Sequence, residues 1–178
     1  MGNLEKVITC LRELGIRPKL NDFQSKLIVQ KSVYLLTAMG IKTDYHFNFY
    51  VRGTYSPELT NDMYRNKDAI QALSGGAHLS EKERKLLEEF KAEMQPFDPA
   101  VLEIAATYAY FFKQSDDARF ATIETKKAKP FFSELQFVRG INSAKGLVYQ
   151  PTEEDLRKLR EEMRAWDAAS DEDGKKWV

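Results

Sequence analysis

The chain has 178 residues, with 27 Lys and Arg against 27 Asp and Glu, so its formal net charge is zero. That balance excludes a chain that is basic throughout, as a nucleic-acid sleeve is, and an acidic disordered tail. Hydrophobic residues at 43% and aromatics at 12% also exclude disorder, and a domain of this length buries roughly 70% of its unfolded surface without needing staples.

Helical periodicity comes first. Leu4, Val7, Ile8, Leu11 and Leu14 recur at steps of three and four, which predicts a helix from Asn3 to Leu14 closed by Gly15. Asp22 is placed to cap a second helix that ends at Gly40. Its apolar residues, from Phe23 to Met39, spread over more than a stripe, so it should be central and buried. Between Asp44 and Val51 the period changes to two. Tyr45, Phe47, Phe49 and Val51 face one way and Asp44, His46, Asn48 and Tyr50 the other, which predicts a strand. It breaks at Gly53, and Ser56-Pro57 opens a third helix running to about Leu73 with an interruption near Asn66. After Gly75-Gly76, the S-x-x-E spacing of Ser80 and Glu83 opens a fourth helix with a thin apolar stripe (Leu86, Leu87, Phe90, Met94), expected on the outside.

Asp98-Pro99 starts a fifth helix, apolar nearly all round from Val101 to Phe112 and so a second core element. Asp116-Asp117 opens a short helix towards Lys126, and another is expected from Pro130 to Lys145, stopped by Gly146. Leu147-Val148-Tyr149 has the composition of a short strand. Thr152 then begins a helix whose Leu156, Leu159, Met163 and Trp166 form one narrow stripe, followed by a frayed end. The expected fold is mainly α with a small β element: about seven helices plus one or two short strands. A globular core domain over 1–149 should carry an amphipathic helix, 150–178, packed on it.

Chemistry is sparse. His46 and His78 stand in no metalloprotease or nucleophile-elbow pattern, and the one thiol, Cys10, lies on an apolar helix face. Neither an enzyme nor a cofactor or metal site is expected. An Asp44, His46 and Asn48 metal face can be drawn, but alternating polar residues are the ordinary outer side of a strand. The lone cysteine points to a reducing, cytoplasmic setting. No run approaches the ~18 apolar residues of a membrane span, and Met1 to Leu20 lacks a signal-peptide pattern, so no membrane partner is expected. Lys126, Lys127 and Lys129, followed by Phe131 and Phe132, mix cations with rings as single-strand binders do. With Arg139 they define the alternative function, a nucleic-acid-binding regulator, set against a solvated helix end.

Two segments carry a likeness. Lys26 to Leu36 (KLIVQKSVYLL) resembles the L-x-x-Q-K-L-x-Y-hydrophobic helix of the Panacea (SocA-like, phage-associated) antitoxin domains. Phe49 to Leu59 (FYVRGTYSPEL) resembles the strand and turn of that family, aromatic-x-x-G-P-x-x-P-x-hydrophobic, with Thr54 in place of the first proline and Asp62 and Tyr64 in keeping. The resemblance spans about Leu20 to Tyr64. It implies a compact helical domain that binds a cognate toxin or other regulated protein without catalysis, one type delivering its toxin to a cytoplasmic AAA+ protease. The motif residues are Gln30, Lys31, Tyr34, Gly53 and Pro57. Gln30 and Tyr34 are four apart and share a helix face, so an amide and a phenol there would bond the irregular backbone around Gly53 and pin turn to helix; a role in binding is the other reading. Tyr50, Arg52 and Tyr55 flank the turn and are the partner-contact candidates, since exposed Tyr and Arg most often anchor interfaces.

The neutral total conceals blocks. Residues 1–78 carry 10 basic and 7 acidic side chains, 79–110 carry 4 and 7, 111–149 carry 7 and 4, and 150–178 carry 6 and 9. A charged binding face is therefore compatible with zero net charge.

Overall fold

The computed structural model describes residues 2–149 and 153–164, apart from 155 and 162. The fold is mainly α with a small β element. The chain divides into two compact units, Met1–Val148 and Tyr149–Val178.

In the first unit, α1 (Leu4–Leu14) starts where Asn3 Oδ1 accepts from the Lys6 amide at 3.0 Å and stops at Gly15, whose φ of 75° suits the left-handed closing position. α2 (Phe23–Met39) is capped by Asp22 and closed by Gly40. Its residues from Val29 to Leu36 are all buried, as the wide apolar face predicts. α6 (Pro99–Ser115) is the second central helix and is buried continuously from Val101 to Ala109. α2 and α6 pack on each other. Around them lie α1, α5 (Glu81–Met94), α7 (Ala118–Ala128) and α8 (Glu134–Val148). α5 opens with the predicted reciprocal cap between Ser80 and Glu83, and turns only Leu87, Phe90 and Met94 fully inward. At Gly140, α8 comes so close to α6 that a β-carbon would lie 2.6 Å from Ile104 Cγ2 and 3.1 Å from the Val101 carbonyl. Only a bare backbone fits this crossing.

The third predicted helix is two: α3 (Pro57–Arg65) and α4 (Lys67–Ala72), parted at Asn66, where the interruption was expected. Two expectations near the end of this unit are corrected. α8 begins at Glu134 rather than Pro130, because Ser133 and Gln136 exchange amide and side-chain hydrogen bonds at 2.9 and 3.3 Å and fix the start there. Gly146 does not stop it. The glycine lies against the Glu93 carboxylate, and the helix continues to Val148 to bury Leu147, so no strand forms at Leu147-Val148.

The β element is one antiparallel hairpin, β1 (Asn48–Tyr50) and β2 (Gly53–Tyr55), with Tyr50 paired to Gly53 across a two-residue turn. The predicted strand was longer. Tyr45 is buried and Phe47 and Phe49 are half-buried, but the ladder ends at the pair Asn48–Tyr55, because Ser56 and Pro57 open α3 and leave the residues before Asn48 no strand to pair with. Val51, expected inward, is 97% exposed because it occupies the turn.

In the second unit, the described residues of 153–164 are helical. Leu156, Leu159 and Met163 of the predicted stripe are exposed, and Lys158 pairs with Glu154 at 3.0 Å. Thr152, Trp166 and the expected frayed end lie outside the described residues.

Candidate functional site

The hairpin turn is held from inside by two buried lysines, one from α2 and one from the end of α7. Lys31 of α2 is 3% exposed, and its Nζ donates to the carbonyls of Arg52 at 2.8 Å and Thr54 at 2.7 Å. Lys129, just after α7, is 1% exposed and donates to the Glu103 carboxylate of α6 at 2.7 Å and to the Val51 carbonyl at 3.4 Å. Two ammonium groups thus collect the inward carbonyls of residues 51, 52 and 54. With the carbonyls turned in, the side chains of Val51 and Arg52 are displayed outward.

Gly53 sits between these cations with a φ of 85°, where a β-carbon would come 3.1 Å from Thr107 Oγ1 and 3.4 Å from Lys31 Nζ. Both the backbone conformation and the space demand glycine. Gln30, one residue before Lys31, uses its whole amide. Oε1 accepts from the Ser56 amide at 3.0 Å, and Nε2 donates to the Ser56 carbonyl at 3.1 Å and to Thr60 Oγ1 at 2.9 Å. It fixes the joint between β2 and α3, where Pro57 occupies the first helical turn and Ser56 caps the Leu59 amide.

The pinning role foreseen for Gln30 and Tyr34 is therefore divided differently. Gln30 performs it, but the Tyr34 hydroxyl is buried with no hydrogen-bond partner among the described residues, and its ring packs edge-on against Phe47 at 5.4 Å. Lys31 supplies the second anchor because it lies on the side of α2 that faces the turn. Lys129 is a further correction: expected in an exposed basic patch, it is buried by its ion pair with Glu103. Of the other cations in that patch, Lys126 pairs with Glu134 at 3.0 Å and Lys127 with Glu124 at 2.7 Å. Arg139 lines a separate depression with Glu93 and Asp98.

Outside the turn lies a cleft of about 490 Å³ between the start of α2, the hairpin and α3. Leu27, Met63 and Pro57 supply apolar wall, and Tyr50, Arg52 and Tyr55 all line it. Tyr50 and Arg52 are exposed; Tyr55 is half-buried, its ring edge-on to Tyr50 at 5.8 Å. The sequence did not mark the opposite rim. Phe23, read as part of the buried face of α2, is exposed there and carries the Arg52 guanidinium over its ring at 4.7 Å. Lys26 reaches the Tyr64 hydroxyl at 3.2 Å. Glu103 was also missed, although a signal existed: it is the sole charged residue from Pro99 to Phe112, and an isolated carboxylate in an apolar helix needs a buried partner.

Among the described residues, no three His, Cys, Asp or Glu side chains converge as a metal site would require. Cys10 is buried, and burial pushes its thiol up to about 11, far from a reactive thiolate. Burial likewise pulls the Lys31 ammonium down to about 8; the Glu103 carboxylate opposes this shift and the Lys129 charge adds to it.

The two shifts set a stability profile. Between pH 8 and the ordinary lysine value of 10.5 the unfolded chain keeps a proton that folded Lys31 has lost, so stability rises with pH. Above the ordinary thiol value of 9.0 the unfolded chain loses the Cys10 proton that the fold retains, which cancels the gain. Above 10 the raised phenols of Tyr34, Tyr45 and Tyr108 turn the slope downward. Urea unfolding should show about 0.5 kcal/mol more stability at pH 9 than at pH 8, and Lys31→Met should abolish that rise. A steady decline from pH 8 upward would contradict it.

No protein-family model, curated protein or solved structure matches this chain.

Proposed function

We propose that the chain is a non-enzymatic protein-binding module of the Panacea-like antitoxin or proteolytic-adaptor type, phage-associated and cytoplasmic. It docks a segment of a partner protein in the cleft beside the hairpin turn, and so neutralises or regulates that partner. The partner class is a cognate toxin or another regulated protein, joined by an AAA+ protease where the chain acts as an adaptor. Among the described residues no helix is long and apolar enough to cross a membrane.

The observation that carries this reading is the form of the cleft. Its apolar floor and exposed Tyr, Phe and Arg rim have the composition of an interface centre. Its hairpin wall is fixed in advance by Lys31, Lys129 and Gln30, so little ordering entropy is lost on binding.

The test is co-production with the product of the adjoining reading frame, followed by copurification and affinity measurement. Tyr50→Ala and Phe23→Ala, both at exposed positions, should each weaken the complex by roughly tenfold without lowering thermal stability. A complex equally tight with both variants, or no complex and no rescue from a toxic neighbour, would sink the proposal.

A further inference from the structure

The charges around the cleft narrow the chemistry of its partner. Lys26, Lys31 and Arg52 line it, and among the described residues no Asp or Glu does. Lys31 is committed to the turn carbonyls, which leaves Lys26 and Arg52 at the rim. Neither has a carboxylate among the described residues, whereas exposed Lys126, Lys127 and Lys158 each hold one. Both rim cations are steadied by rings instead: Arg52 lies over Phe23 at 4.7 Å, and Lys26 is 5.9 Å from the centre of the Tyr64 ring. Stacking engages the face of a guanidinium and leaves the N–H donors on its edge free. Those edge donors match a carboxylate in a forked pair. The segment that builds the cleft belongs to the 1–78 block, with 10 basic against 7 acidic side chains, which adds to the same field.

We infer that the cleft takes an acidic partner segment: an apolar or aromatic anchor seated between α2 and α3, flanked by carboxylates that pair with Arg52 and Lys26. This rests on the docking function proposed above and specifies its ligand. The anchor supplies the buried area and the carboxylates supply register and association rate.

Selection of displayed random peptides on the full chain tests both levels separately. Peptides that bind the native chain and fail on Phe23→Ala/Tyr50→Ala are cleft-dependent. The inference expects these to place Asp or Glu next to Leu, Phe or Trp. For a synthetic copy of one such peptide, Arg52→Ala should weaken binding roughly fivefold, and added salt should weaken the native chain more than Lys26→Ala/Arg52→Ala. Arg52→Glu should reject the acidic peptide and accept its Asp-to-Lys counterpart. Cleft-dependent peptides without carboxylates, or affinity indifferent to Arg52 and Lys26, overturn the acidic partner and leave docking intact. Absence of any cleft-dependent peptide overturns both. If indole-3-acetate alone binds as tightly as the peptide, the site takes a small carboxylate and the protein segment is excluded.

Discussion

Glu103→Ala is expected to cost about 3–5 kcal/mol of folding stability, the range for a buried ion pair stripped of one partner. The carboxylate is the acceptor of Lys129 at 2.7 Å, and its field also supports the charged form of Lys31. Without it, two ammonium groups stay buried around Gly53 with only backbone carbonyls to receive them. Lys129→Met should cost less, because it removes one of the two like charges and leaves Glu103 near Lys31. The double change Glu103→Leu/Lys129→Met should regain much of the loss, since apolar groups of similar volume often replace a buried pair without penalty. Urea unfolding of the native chain, Glu103→Leu, Lys129→Met and the double variant closes a cycle that gives the coupling directly. A Glu103→Ala cost below about 1 kcal/mol would show that the pair is solvated rather than buried.

The second large effect belongs to Lys31. Lys31→Met keeps all but the last atom of the side chain's length and leaves the Arg52 and Thr54 carbonyls without their donor, at about 1–3 kcal/mol each. Relief of the buried charge offsets part of this, so a net loss of about 2–4 kcal/mol is expected. Lys31→Arg should not rescue, because a planar fork of donors does not fit the space between two carbonyls and the Gly53 α-carbon. Amide exchange should quicken at residues 50–55 far more than in α6, which separates a loosened turn from global unfolding. Equal acceleration throughout would refute that local picture.

The helices were legible wherever one residue's chemistry decides a boundary. Asn3, Asp22, Ser56, Ser80, Asp98 and Asp117 all cap helices through their own side chains. Boundaries set by tertiary contact were not. The Gly146 expectation failed because burial of Leu147 outweighs the local weakness of glycine. The strand from Asp44 to Val51 showed its alternation, yet period alone says nothing about which residues find a ladder partner. At the candidate site, the segments Lys26 to Leu36 and Phe49 to Leu59 could be read as a helix and a turn that meet. Neither segment announces Glu103, Thr107 or Lys129, which arrive from distant helices. Lys129 read as a surface cation because it follows Lys126 and Lys127 at a helix end, and both of those lysines are exposed.

Lys31 precedes Arg52 by 21 positions, whereas Lys129 follows Val51 by 78. A ribosome therefore delivers the turn and its first anchor early and the second anchor late. At about 5–20 residues per second, the interval between them is roughly 4–15 s. During that time Tyr50 and Arg52 exist on a growing chain whose turn is fastened on one side only. A product cut short before Lys129 therefore carries Tyr50 and Arg52 on a turn that lacks the second cation donating to the Val51 carbonyl.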